Sequence, residues 1–147
     1  DRIDNDIRFE CRDFAGRTFE YFSEDGYLFG VMASQQVAGA QAKGVYAFMK
    51  HFALNDQETN RLSELATWAN EQSIREIYLK PFEMSVKQGG AGAVMSAFNY
   101  IGMEWGGSHS GLLNTVLRGE GGLPRHGPDH HEVPQAPQTG RGGIGSR

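Results

Sequence analysis

Cysteine is almost absent from this chain of 147 residues: Cys11 stands alone, so no internal disulfide staples the fold and cysteine usage leaves the redox compartment open. Long apolar runs are missing as well. No stretch approaches the roughly 20 residues of a membrane span, and the opening Asp1-Arg2-Ile3-Asp4-Asn5-Asp6 is too polar for a signal peptide. Positive charge is in deficit. With 14 Lys and Arg against 18 Asp and Glu, a net charge of -4 and no basic stripe, the chain lacks the means to neutralise a phosphate backbone, so neither nucleic acid nor membrane is expected as a partner. Proline is scarce before residue 121. Four of the five prolines, Pro124, Pro128, Pro134 and Pro137, lie beyond it, where Leu123, Val133 and Ile144 are the only branched aliphatics. Residues 121–147 therefore cannot bury enough apolar surface to offset their ordering entropy, and a disordered tail is expected. His126, Asp129, His130 and His131 have ligand chemistry, but a flexible tail fixes no geometry, and no metal is expected.

Residues 1–120 read differently. The whole chain is 39% hydrophobic and 22% charged, enough to bury a core. Residues 32–43 form a predicted helix closed by Gly44. Val45-Tyr46-Ala47-Phe48-Met49 follows as a short buried strand, with Lys50 and His51 at its C-terminal end and a polar loop to about Thr67. From Glu71 to Leu79, Ile74, Ile77 and Tyr78 recur three and four apart, the spacing of one helix face. Pro81 removes a hydrogen bond from any helix interior, so a kink or restart is expected there, with a second segment ending at Gly89-Gly90. Residues 93–98 are the next strand, and residues 112–118 a short helix capped by Ser108 or Ser110. Strands separated by long helical connections imply a parallel α/β arrangement. Gly89-Gly90-Ala91-Gly92 precedes a strand instead of following one, the wrong order for a dinucleotide fold, and no cofactor is expected.

The densest chemistry lies in Lys50-His51-Phe52-Ala53-Leu54-Asn55-Asp56-Gln57-Glu58-Thr59-Asn60-Arg61. Cations donate to oxygen, an imidazole can do either, and amides bring a donor and an acceptor each, which suits vicinal sugar hydroxyls. This stretch resembles the sugar-binding loop of glycoside hydrolase family 3, the β-glucosidase family. Three more segments resemble the same family in the same order: residues 16–25 (GRTFEYFSED), 75–83 (REIYLKPFE) and 94–99 (VMSAFN).

The resemblance implies a (β/α)8 barrel, of which the matching residues supply only about half, since such barrels need roughly 250 residues. It implies a hydrolase acting on O-glycosyl bonds of β-linked glucosides, of which this chain is a fragment. By resemblance Arg17, Lys50, His51 and Arg61 bind the nonreducing sugar, and Met95 and Phe98 wall the pocket, Phe98 standing where many members carry Tyr. The plainer alternatives are that Arg17 and Arg61 pair with Glu24, Asp56 or Glu58 as scaffold, and that Met95 packs in the core. Trp68 and Trp105 could wall a subsite, with burial against helices the plainer role for Trp68. The KHFALND loop differs from the KHFPGHG-like loop of the N-acetylhexosaminidase branch. Retaining hydrolysis needs a nucleophilic carboxylate and an acid about 5 Å apart, and neither is assignable here. Asp56 and Glu58 read as scaffold, and Glu24 and Asp25 as a capped turn.

A hidden reading frame accounts for the change of character near residue 121. After a segment like LLNTVLRGE the family usually continues Trp-Gly-Phe-Arg-Gly, apolar residues, Thr or Ser, and the nucleophilic Asp. Residues 123–129 can be encoded CTT CCG CGG CAT GGT CCT GAC; one base later this reads Phe-Arg-Gly-Met-Val-Leu-Thr. Residues 121–147 are then out-of-frame translation. The codons of His130 and His131 give Thr or Ile where the nucleophile belongs. Alternatives to a hydrolase fragment are a noncatalytic carbohydrate-binding domain and an inactive soluble fragment. An incomplete barrel is also expected to self-associate through its open strand edge.

Overall fold

A computed structural model describes residues 7–8, 16 and 18–124. Cys11, Arg17 and nearly all of the tail lie outside them. The chain runs β1 (Ile7–Arg8), a 3-10 turn (Thr18–Glu20), α1 (Gly26–Gln41), β2 (Phe48–Phe52), β3 (Ala66–Thr67) and α2 (Glu71–Ser73). A π-helical turn (Ile74–Leu79), α3 (Lys80–Lys87), β4 (Ala93–Ser96), β5 (Tyr100–Ile101), β6 (Glu104–Trp105) and a wide-wound helix (Gly111–Glu120) complete it. β1, β2 and β4 form one sheet in that order, both pairings parallel, as the α/β reading requires. β3, β5 and β6 form a second small sheet in which β3 and β5 are parallel and β5 and β6 antiparallel. The polar loop after β2 therefore ends in a strand the sequence did not predict.

Helix α1 starts six residues before the predicted helix because Asp25 caps it, its Oδ1 accepting from the Tyr27 and Leu28 amides at 2.8 Å each. At the other end the Val45 amide donates to Ala40 O at 3.2 Å, and Gly44 takes a φ of 76°. Val45 is thus spent on closing the helix, and β2 begins at Phe48 instead of Val45. Lys50 and His51 consequently lie within the strand. Pro81 falls in the first turn of α3, immediately after the π-helical turn, so the helix restarts there as expected. Ser110 occupies the cap position of the last helix but makes no side-chain cap bond, and Ser108 bonds Trp105 O instead. His109 Nδ1 accepts from the Leu112 amide at 3.2 Å, so an imidazole caps where a hydroxyl was predicted.

The core is laid down by α1 (Phe29, Ala33, Val37), β2 (Met49, Phe52) and α3 (Phe82, Val86), joined by Leu79, Leu112 and Leu117. Phe52 meets Phe82 edge to face at 4.9 Å, and Phe22 meets Phe29 likewise at 5.2 Å. Ile74 and Tyr78 pack against this core as predicted, whereas Ile77 is exposed. Among the described residues no helix is long and apolar enough to cross a membrane.

Candidate functional site

A bulge in β2 sets the site. Met49 pairs with Val94 and Phe52 with Ser96, so three steps along β2 oppose two along β4. An extra residue interrupts the alternation of faces and re-aims side chains. Met49 and Phe52 are both buried as a result, while Lys50 and His51 between them remain half-buried. The Lys50–His51 and Phe52–Ala53 peptide bonds are cis.

His51, Arg61 and Phe98 come together around this bulge. The His51 and Phe98 rings lie 6.4 Å apart at 35°, and Arg61 Cζ sits 5.4 Å over the Phe98 ring, within cation–π range. Arg61 Nη1 also pairs with Glu58 Oε2 at 2.9 Å, so the scaffold role and the pocket role coexist in one side chain. Met95 and Phe98 are 49% and 45% exposed, so neither packs in the core formed by the described residues. Lys50 precedes His51 in β2, in register with Arg8 of β1. Trp68 is corrected: it is 71% exposed, with its ring beside Gly102. Trp105 lies in β6.

Asn99 closes the VMSAFN segment but was not among the expected sugar-binding residues. It is fully buried, and its Nδ2 lies 3.1 Å from Leu54 O, 3.3 Å from Ala53 O, 3.3 Å from Thr67 Oγ1 and 3.4 Å from Tyr100 O. Thr67 Oγ1 in turn donates to Leu54 O at 3.3 Å. One amide thereby ties the end of β4 to the loop after β2 and to β3. A polar residue directly after a strand of the right length was the available signal.

A groove of about 510 Å³ lies elsewhere, between the helices, lined by Tyr27, Phe82, Val86 and Val116 and rimmed by Arg75 and Glu120. It contains none of the predicted sugar-binding residues. Arg75 grips both Glu120 oxygens, at 2.6 and 3.3 Å, and Glu71 at 2.9 Å. These bonds hold the guanidinium above its ordinary pKa and the Glu120 carboxyl below its own. Among the described residues no cluster of three or more His, Cys, Asp or Glu could hold a metal.

Parallel strands with an imidazole, a guanidinium stacked on an aromatic ring and clustered amides at their carboxyl ends define an α/β domain with a polar site at the strand ends. Residues 6–124 match the glycosyl hydrolase family 3 N terminal domain, and the chain belongs to that family. Beta-glucosidase B of Emericella nidulans is 47% identical over 107 residues, covering 73% of this chain and 12% of that protein. Thermostable beta-glucosidase B of Acetivibrio thermocellus is 43% identical over 105 residues, 71% of this chain and 14% of that protein. Among solved structures, beta-glucosidase 3B from Thermotoga neapolitana in complex with glucose superposes with a TM-score of 0.75 at 44% identity, covering 80% of this chain and 16% of that one. The chain thus spans about one-eighth to one-sixth of the relatives named.

Proposed function

We propose that the intact parent of this chain hydrolyses β-linked glucosides and that this chain carries the sugar-binding part of its pocket. The observation that carries the reading is the convergence of His51, Arg61 and Phe98 at the bulge of β2, in a chain 44% identical to a beta-glucosidase solved with glucose. Lys50, His51 and Arg61 donate to sugar hydroxyls, Phe98 and Met95 cover the apolar face, and Arg17 completes the set. Arg61 is pre-ordered for this by Glu58 and Phe98 together. The three parallel strands are read as part of a (β/α)8 barrel. Residues 1–120 are read as belonging to it and the tail as lying beyond it; the family match itself runs to residue 124, and Leu123 still packs against the core. The nucleophile and acid lie outside the residues assigned here, so the chain alone binds sugar without hydrolysing it.

Titrating D-glucose into the 15N-labelled chain tests this. Resonances of His51, Arg61 and Phe98 should shift, and Lys50→Ala or Arg61→Ala should weaken binding roughly tenfold to a hundredfold, the loss of one hydrogen bond to a charged donor. An aryl β-glucoside should remain uncleaved. Glucose-insensitive spectra, or variants that bind as the parent does, would remove the sugar-binding reading.

A further inference from the structure

The turn after β2 brings Glu58 and Arg61 to one side. The Arg61 amide donates to Glu58 O at 3.3 Å, and Asn60 between them takes a φ of 62°, a left-handed conformation that asparagine tolerates better than most residues. The two side chains then pair at 2.9 Å with only 23% of Glu58 and 28% of Arg61 exposed, so solvent screens them less than an open surface pair. Glu58 in turn lies on Gly16. A Cβ on Gly16 would stand 2.6 Å from Glu58 Cγ and 2.8 Å from Glu58 Cβ, but 3.8 Å from Glu58 N. The first two lie far inside the roughly 3.5–4.0 Å at which carbon atoms rest, and they belong to the base of the side chain, where rotation moves Cγ but leaves Cβ in place. The third is an ordinary contact. The bare backbone of Gly16 is thus the seat of the Glu58 side chain. Gly16 is itself tethered, its carbonyl accepting at 3.5 Å from the hydroxyl of Tyr21, which packs against the core.

We propose that Gly16 is a positioning residue for Arg61: by admitting Glu58 it lets that carboxylate hold the guanidinium over the Phe98 ring, 5.4 Å from its centroid. Sequence alone points to Arg17 within residues 16–25; the contact with Glu58 gives Gly16 a part as well. The inference rests on the sugar-binding reading for its purpose, though not for its geometry. A methyl group on Gly16 pushes Glu58 aside and releases Arg61, so that the guanidinium has to be ordered at the moment of binding instead of beforehand.

The test uses the full 147-residue chain and begins with thermal unfolding. Gly16→Ala should lower the melting temperature, and in a Glu58→Gly background the same change should cost nothing, because the crowded atoms are gone. An equal loss in both backgrounds overturns the contact. Should Gly16→Ala fail to fold, the double variant decides: folding as Glu58→Gly does supports the contact, and failing where Glu58→Gly folds overturns it. The second readout is the Arg61 side chain, which a glycine of purely structural effect would leave alone. Its Nε–Hε signal, identified by its loss in Arg61→Ala, should stand apart from that of free arginine because the Phe98 ring lies beneath it. It should return toward the free value in Gly16→Ala and in Glu58→Gln, and stay in place in Gly39→Ala, where a Cβ meets nothing. A wild-type signal already at the free value, or one unmoved by Gly16→Ala, overturns the proposal. D-glucose separates the two readings. Gly16→Ala should weaken its binding roughly threefold to tenfold, about the value of one hydrogen bond, and should weaken it no further when added to Arg61→Ala. An Arg61 signal that responds as expected in a chain that binds no glucose leaves Gly16 in its role and removes the sugar. Glucose bound equally by Gly16→Ala and wild type does the opposite.

Discussion

Asn99 concentrates on one side chain what a loop would otherwise need several groups to do. Its Nδ2 faces three carbonyl oxygens and one hydroxyl within 3.4 Å, in full burial. Replacing it with Leu removes this donor from the buried Ala53 carbonyl and leaves Leu54 O with Thr67 Oγ1 alone, which costs about 1–3 kcal/mol for a group left unsatisfied. Asn99→Asp should be worse at neutral pH, because a carboxylate would face those carbonyl oxygens. Its folded pKa is then raised, so the deficit is present above the ordinary Asp value of about 3.9 and shrinks as pH falls toward it. Thermal unfolding of both variants against pH checks this; an Asn99→Asp variant as stable as wild type at neutral pH would contradict the clamp. The residues of this site were visible in the sequence as types, His51, Arg61 and Phe98 by their motifs. Their mutual arrangement was not, because the bulge that aims His51 arises from the pairing of β2 with β4, two segments about 40 residues apart.

At the level of elements, boundaries went astray where a helix was closed or capped. Val45 through Ala47 read as strand because they are apolar, but the amide of Val45 belongs to the end of α1. Ser110 looked like a cap, and His109 took the position. The restart at Pro81 was legible because a missing N–H is a local property that no tertiary contact restores. Helices α1 and α3 meet so closely that a Cβ on Gly89 would stand 2.7 Å from both Ser34 O and Ser85 O. Backbone has to move to admit it, so Gly89→Ala should lower stability by more than about 1 kcal/mol, as over-packing does. Gly39, in α1 with nothing within 4 Å of where a Cβ would stand, should gain roughly 0.5–1 kcal/mol as Ala. Chemical denaturation of the pair measures both signs, and two substitutions of equal effect would refute the packing argument.

Charge fastens two elements through Arg75 and Glu120 and staples α3 internally through Glu83 with Lys80 and Lys87. Glu120 is held below the usual glutamate value of 4.5 chiefly by its hydrogen bond to Arg75, and Glu83 below it by Lys87 and then Lys80. A depressed carboxylate stabilises the fold above its unfolded pKa, and that contribution is lost as pH falls from 4.5 through the lower folded values. Stability should therefore decline on acidification below 4.5, and less steeply in Arg75→Met, in which the Glu120 carboxyl returns to its ordinary value. These groups are exposed and screened by solvent, so the change is a slope, read from melting temperature against pH, and not a collapse. Parallel slopes in the variant and the wild type would assign the acid sensitivity to other carboxylates.

For the molecule as a whole the decisive feature is the edge of the main sheet. β4 bonds to β2 on one flank, and among the described residues no strand pairs with its other flank. Its sequence, Ala93-Val94-Met95-Ser96, is apolar and carries none of the lysines or prolines that blunt natural edges. Met95 and, just beyond, Phe98 are each nearly half exposed beside it. A row of unsatisfied N–H and C=O groups flanked by exposed apolar side chains is a template for a further strand, and a second copy of the chain brings an identical edge. The 147-residue chain should accordingly elute as an oligomer at micromolar concentration, and Met95→Lys, which sets a charge on the exposed face beside that edge, should shift it toward the monomer. Light scattering coupled to size exclusion reads the mass directly. A wild-type chain that is monodisperse and monomeric would mean that the β4 edge is already covered.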